Sequence, residues 1–172
     1  MPDFPRSGHS VQYGEVMIEI ALYQPDIAPN TATIMRMAAC LGLKLRIIEP
    51  AGFIWSDSGL KRAGMDYLDQ AEVHRDASWQ AFRKDTEGRR MILMTTRAAR
   101  SYVDFTFRPG DILLMGRESA GVPAEVHAAS SARLLIPMRP GLRSLNVALA
   151  CAMVVGEALR QTGGFPSVPP IS

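Results

Sequence analysis

Three short stretches, MILMT at 91–95, DILLM at 111–115 and ARLLI at 132–136, are mostly apolar and show no clear polar/apolar alternation. A strand with one wet face alternates, whereas a strand apolar throughout must be covered on both sides, the pattern of a parallel sheet inside an α/β fold. Parallel neighbours need crossover connections, usually helices, and the rest of the chain offers them. Residues 16–23 read as a first strand. Pro29-Asn30 then suits the start of a helix over 31–41, where Ile34, Met37, Ala38 and Leu41 recur at helical spacing and Gly42 ends the run. Residues 44–48 read as a second strand, broken by Glu49-Pro50-Ala51-Gly52. Ser78 suits the cap of a helix carrying Trp79 and Phe82 on one face, with Gly88 as its stop. A last helix is expected from near residues 144–146 to 162, with Val147, Cys151, Val154, Ala158 and Leu159 as its apolar stripe and Gly163-Gly164-Phe165-Pro166 as its end.

This order predicts an α/β domain with a mostly parallel sheet and flanking helices. In such sheets the ligand sits beyond the carboxyl ends of the strands. Three segments fall at such ends, MTTR at 94–97, GRESAGVP at 116–123 and IPMRPGLRSLN at 136–146, and they are expected to be close in space. A chain of 172 residues with 47% hydrophobic content has enough apolar material for one full core. The expected divisions are an N-terminal extension at 1–15, expected to be flexible, a single domain at 16–165 and a tail at 166–172. The N-terminus carries an acidic residue and two prolines where a secretory signal has a basic start and an apolar run. The longest mostly apolar run, 147–156, is about half of the roughly 20 residues that span a bilayer. A cytoplasmic protein with no membrane association is expected. Cys40 and Cys151 lie in helical apolar patterns and read as buried thiols; no zinc-ligand spacing occurs, and no metal is expected.

Of the 19 basic residues all but Lys44, Lys61 and Lys84 are arginine. The planar guanidinium grips phosphate through two parallel hydrogen bonds, which suits nucleic acid, although genome base composition produces the same bias. Basic residues gather as Lys61, Arg62 and Arg75, as Arg83, Lys84, Arg89 and Arg90, and as Arg97, Arg100 and Arg108, with Asp85 and Glu87 diluting them.

The glycine-bearing turn GRESAGVP is not a phosphate loop: Gly121 precedes Val122-Pro123, where a P-loop needs Lys and then Ser or Thr. No dinucleotide fingerprint follows the first strand and no nucleophile elbow occurs; His9, His74 and His127 are scattered. What remains is a set of polar residues: Asn30, Arg36, Glu118, Ser144 and Asn146. Read from the residues alone, Asn30 and Ser144 suit helix caps and Glu118 suits a solvated turn.

The stretches YQPDIAPNTATIMRMAACLGLKLRIIEPAGF, GDILLMGRESAGVP and IPMRPGLRSLNVALACAMVVGEALRQTG resemble, in order and spacing, the three signature motifs of the SPOUT RNA 2'-O-methyltransferases. Within that superfamily they are most similar to the small enzymes that modify the wobble nucleotide of tRNA. The resemblance covers about residues 16–165. It implies a C-terminal trefoil knot, S-adenosyl-L-methionine as cofactor, a tRNA anticodon loop as substrate and a homodimer whose site is completed across the interface. It also implies that Met94, Thr95, Gly116, Glu118, Ile136, Ser144 and Leu145 hold the cofactor. Arg36 would then stand at the target nucleotide, Asn30 and Glu118 would orient it and the loop, and Ser144 and Asn146 would sit where cofactor and ribose meet. An arginine is a poor literal base, since its pKa above about 12 keeps it protonated, so a clamp on a phosphate beside the ribose is the expected role of Arg36. The chain departs from the family pattern at Asn30-Thr31-Ala32-Thr33, where N-T-G-N is common, and at Ala98, where glycine is frequent. The same motifs also fit methyl transfer to another tRNA or ribosomal RNA site, or a catalytically silent RNA-binding homologue.

Overall fold

A computed structural model describes residues 17–55 and 71–167. The expected N-terminal extension, the end of the tail and the pair Lys61 and Arg62 lie outside the described residues. Within them the sheet has seven strands in the order β3-β2-β1-β6-β4-β7-β5, every named pair parallel. The strands are β1 (Glu19–Tyr23), β2 (Lys44–Ile48), β3 (Val73–Asp76), β4 (Met91–Met94), β5 (Arg100–Ser101), β6 (Ile112–Met115) and β7 (Ala132–Leu135). Helices α1 (Ala28–Leu41), α2 (Trp79–Asp85), α3 (Ala124–Ala129) and α4 (Val147–Thr162) flank it, with a short 3-10 turn at Tyr102–Asp104. None of the described helices is long and apolar enough to cross a membrane.

The missing alternation has its explanation in two cores. Ile20, Leu22, Leu113 and Met115 point to the side where Ile34 and Met35 of α1 meet Cys151, Val154 and Val155 of α4. Their neighbours Ala21, Tyr23, Ile112 and Leu114 point to the other side, against Trp79 and Phe82 of α2 and Val126 of α3. Every residue of β1, β4 and β6 is therefore buried. Burial of this extent is the main favourable term of the fold.

Several local expectations are corrected. The first helix begins earlier than Pro29-Asn30, at Ala28, with Ile27 as its N-cap and proline in its first turn, so Asn30 lies inside the helix and does not cap it. Proline is tolerated there because the first N–H groups of a helix have no intrahelical acceptor. The buried face of α1 runs through Thr31, Ala32, Ile34, Met35 and Ala38, with Met37 and Leu41 only packed at its edge; Cys40 falls on the opposite side and is exposed. Cys151 is buried as expected, and burial pushes its thiol up to about 12. Asn146, and not Ser144, caps α4, its Oδ1 accepting from the N–H groups of Ala148 at 2.8 Å and Leu149 at 3.3 Å. Strands β3 and β5 were not expected: β3 reads VHRD and β5 is only Arg-Ser, too polar or too short to carry a hydrophobic signal.

A buried ionic network stitches β1, β2 and β3. Arg46 donates through Nε to Asp76 at 2.9 Å and through Nη2 at 2.5 Å, reaches Asp85 at 2.6 Å and lies 3.7 Å from Glu19, which also pairs with Arg89. Arg46, Asp76 and Glu19 are all buried, and the hydrogen bond to Asp76 is the first cause that holds the guanidinium protonated. His74, Asp76 and Asp85 present ligand-type atoms within 4.8 Å of one another. The two carboxylates, however, already have Arg46 between them. Removing one partner of such a network leaves an uncompensated buried charge. Arg46→Ala is expected to lower stability by about 3–5 kcal/mol, read from the urea midpoint at unchanged slope; a loss under ~1 kcal/mol, the range of exposed pairs, would show that the network is solvated.

Candidate functional site

The strand register decides where the site forms. Leu22 of β1 pairs with Met115 of β6, Met115 with Met94 of β4, and Met94 with Leu134 of β7. The four carboxyl ends thus finish at one level, and the turns that follow them emerge side by side, as the sequence predicts for its three motif segments. Between them lies a cavity of about 510 Å³.

All seven residues expected at the cofactor, Met94, Thr95, Gly116, Glu118, Ile136, Ser144 and Leu145, line this cavity, together with Asn30 and Asn146. Arg36 does not. It is exposed, farther along α1. The walls also include Ile27, Thr96, Arg117, Val122, Met138 and Arg143, which the sequence reading left out.

The loop after β6 is a tight antiparallel turn. Arg117 N–H donates to Gly121 O at 3.1 Å and Gly121 N–H returns to Arg117 O at 2.8 Å. Gly121 takes φ +67, and a Cβ on Gly116 would come within 3.2 Å of the Gly121 backbone, so glycine at both ends is required by the shape of the turn. Glu118 at its centre points back into the protein. It accepts from the Asp26 N–H at 3.1 Å and from Asn30 Nδ2 at 3.3 Å. Asp26 reciprocates, accepting from the Glu118 N–H at 3.2 Å and from the Ser119 hydroxyl, with Arg117 Nε 3.7 Å away. Asn30 Oδ1 in turn accepts from Asn146 Nδ2 at 2.9 Å, and Asn146 caps α4. One chain of hydrogen bonds thereby joins the turn after β1, the turn after β6, the first turn of α1 and the start of α4. Asn30 is free to take part because it is not spent on a cap.

Asp26 was missed because an aspartate after Pro25 reads as an ordinary turn residue. Gly52 packs against its turn: the Gly52 N–H donates to Pro25 O at 2.8 Å, and a Cβ on Gly52 would lie 2.6 Å from Asp26 Cβ. Burial, and then the neighbouring Asp26 carboxylate, push Glu118 above the usual carboxylate range. The hydrogen bond with Glu118 is the first cause that draws Asp26 down to about 2. Within the pair, ionisation is thus favoured at Asp26 and disfavoured at Glu118.

The arginine clusters are largely committed to the protein itself. Arg75 pairs with Glu49, Arg89 with Glu19 and Arg90 with Asp111. Arg97 and Arg143 remain exposed beside the cavity segments.

Residues 17–156 match the SpoU rRNA Methylase family. The chain belongs to that family. A relative in Beijerinckia indica subsp. indica, named tRNA (cytidine(34)-2'-O)-methyltransferase, is 60% identical over 151 residues, covering 87% of this chain and 94% of its own. A solved structure described as giving insights into the 2-OH methylation of C/U34 on tRNA superposes with a TM-score of 0.80 at 41% identity, covering 84% of this chain and 95% of that one. An AdoMet-bound rRNA methyltransferase from Sinorhizobium meliloti superposes with a TM-score of 0.77 at 25% identity over 85% of this chain and 57% of its own.

The cavity of this SpoU family member suits such a cofactor. Its volume lies within the roughly 300–1,000 Å³ of small-molecule sites. Met94, Met115, Ile136 and Leu145 give apolar walls for a flat base, while Thr95, Ser144 and Asn146 offer partners to hydroxyl, amino and carboxylate groups.

Two outcomes follow from the stitched turns. Gly52→Ala forces the Asp26 turn to move, because the added carbon meets backbone and not a flexible tip; a stability loss of about 1–3 kcal/mol with weakened binding of S-adenosylmethionine is expected by melting and calorimetry. Glu118→Gln removes a charge that the fold disfavours. A raised carboxyl pKa contributes stability fully present below the unfolded value and lost as pH rises through the folded value. The melting temperature of Glu118→Gln relative to wild type should therefore be higher at pH 8 than at pH 4; a difference that stays constant would show that Glu118 ionises normally.

Proposed function

We propose that this chain transfers a methyl group from S-adenosyl-L-methionine to the ribose 2'-hydroxyl of the wobble nucleotide of tRNA, the reaction named for its relatives. The observation that carries the reading is the cavity at the strand ends, where every expected cofactor residue converges and Glu118, Asn30 and Asn146 are bonded to one another. S-adenosylmethionine supplies an electrophilic methyl group on a sulfonium. The task left to the protein is alignment of the attacking oxygen, worth as much as about 7–11 kcal/mol in favourable cases, and a destination for its proton.

Glu118 and Asn30 hold the turn after β6 and the start of α4 at a fixed spacing. Met94, Thr95, Gly116, Ile136 and Leu145 bind the cofactor, with Ser144 and Asn146 at its meeting point with the ribose. Arg36 clamps a phosphate next to the target ribose and favours proton loss from the hydroxyl. Its exposure and its place outside the cavity walls fit a site completed by a second copy of the chain. Exposed Ile27, Leu149 and Met153, beside Leu145 on the rim, supply an apolar face for that homodimer. The three irregular segments around β4, β6 and β7 fit the trefoil knot that the family resemblance implies. The cytoplasm, where tRNA is found, is the expected compartment.

The test is transfer of label from S-adenosylmethionine to tRNA lacking wobble 2'-O-methylation, with the modified nucleotide mapped by mass spectrometry. Label at position 34 is expected. Arg36→Ala should lose on the order of a hundredfold in kcat/KM, the scale of losing one transition-state contact, and Arg36→Lys should retain a measurable fraction. Equal, complete loss in both variants would assign a role that only a guanidinium can fill, and label at another nucleotide would move the substrate.

A further inference from the structure

Four aromatic pairs are found among the described residues. In three of them, Tyr23 with Trp79, Trp79 with Phe82 and Phe105 with Phe107, both rings are buried and belong to the cores. The fourth differs. Phe53 and Trp55 lie nearly parallel, at 23° and 6.0 Å between centroids, and both are only half-buried. The Arg75 guanidinium lies 5.0 Å from the Trp55 ring and is held there by Glu49. Ile54, between the two rings in sequence, is 91% exposed. In the loop beyond β2, a hydrophobic side chain thus stands in water beside two half-open rings and a guanidinium.

The position of this cluster gives it meaning. It follows β2, at the same sheet edge as the cavity, and Gly52 immediately before it is bonded to Pro25 and packed on Asp26, which in turn holds Glu118. The aromatic strip is therefore fixed relative to the methyl-transfer cavity through three directly contacting residues. Unpaired RNA bases are recognised by stacking on aromatic rings and arginine planes. We infer that Phe53, Ile54, Trp55 and Arg75 form a stacking platform for an unpaired base of the substrate RNA adjacent to the target nucleotide. The inference rests on the proposed RNA substrate and adds to it a second contact, one that holds a base while the cavity holds the ribose.

The test uses anticodon stem–loops, intact or made abasic on the 5′ or the 3′ side of the target nucleotide. With the wild-type protein one of the two abasic loops should show a KM raised about tenfold to a hundredfold, the range of one base–aromatic stack. Trp55→Ala should raise the KM for the intact loop by a similar factor, leave the affinity for S-adenosylmethionine unchanged, and be indifferent to that same abasic change. Trp55→Phe, which keeps a stacking ring on the core, should recover most of the affinity. Wild-type methylation of both abasic loops at the rate of the intact one would overturn the platform, as would Trp55→Ala with an unchanged KM. A wild-type protein that methylates the intact loop at no position would instead overturn the functional reading on which the platform rests.

Discussion

Everything at the functional edge depends on four parallel strands ending at one level. Because Leu22, Met115, Met94 and Leu134 are neighbours in the ladder, the turns that leave them cannot avoid one another. Their polar backbone and side chains must then be satisfied within a crowded space that is partly shielded from water. Glu118 shows the consequence. Its carboxyl is desolvated, and a hydrogen-bonded set from Asp26 and Asn30 compensates it. The network is thus first a solution to burial, and the cavity is what remains between its members.

The two ionic networks at opposite ends of β1 work differently. Glu19, at the start of the strand, is matched by Arg46 and Arg89, so charge meets charge and the sheet edge is tied together. Beyond Tyr23, at the end of the strand, Asp26 and Glu118 are two acids in contact. Burial and the neighbouring carboxylate disfavour ionisation of Glu118, while ionisation of Asp26 is favoured. The first arrangement fixes the fold at the amino ends of the strands. The second places beside a cavity an acid whose ionisation is disfavoured and whose hydrogen bonds hold a loop.

The fold was legible where hydrophobic pattern carries it: strands 91–94 and 112–115 are buried on both faces and the stripe of α4 on one, whereas in 132–135, expected to be covered on both sides, only Leu134 is buried and Arg133 is exposed. The polar strand β3 and the two-residue strand β5 were not, since their place in the sheet comes from pairing with β2 and β7 and not from their own residues. At the site, Asn30 and Ser144 looked like caps because helix starts are judged from local chemistry; the actual N-caps are Ile27, which makes no side-chain cap bond, and Asn146, which also bonds to the distant Asn30. The resemblance of the three motifs to a known family located the cavity residues that local chemistry could not. It gave no sign of Asp26, whose partners are Gly52, Arg117, Glu118 and Ser119, nor of how many arginines are consumed by internal ion pairs.

That consumption bears on how RNA can be held. With Arg46, Arg75, Arg89 and Arg90 matched to carboxylates, a grip made only of free positive charge would be thinner than the arginine count suggests. A phosphate-only grip would also be indifferent to sequence, since backbone contacts position a nucleic acid without reading it. A flexible loop presents its target ribose correctly only if both ribose and a neighbouring base are fixed, because one contact leaves rotation about the backbone free. A rigid edge that carries a cavity and a half-open aromatic strip, joined through Asp26 and Gly52, supplies two such points. Arg75 is not lost to binding by its pairing with Glu49: the ion pair fixes the plane of the guanidinium over Trp55, and a fixed plane is what stacking requires.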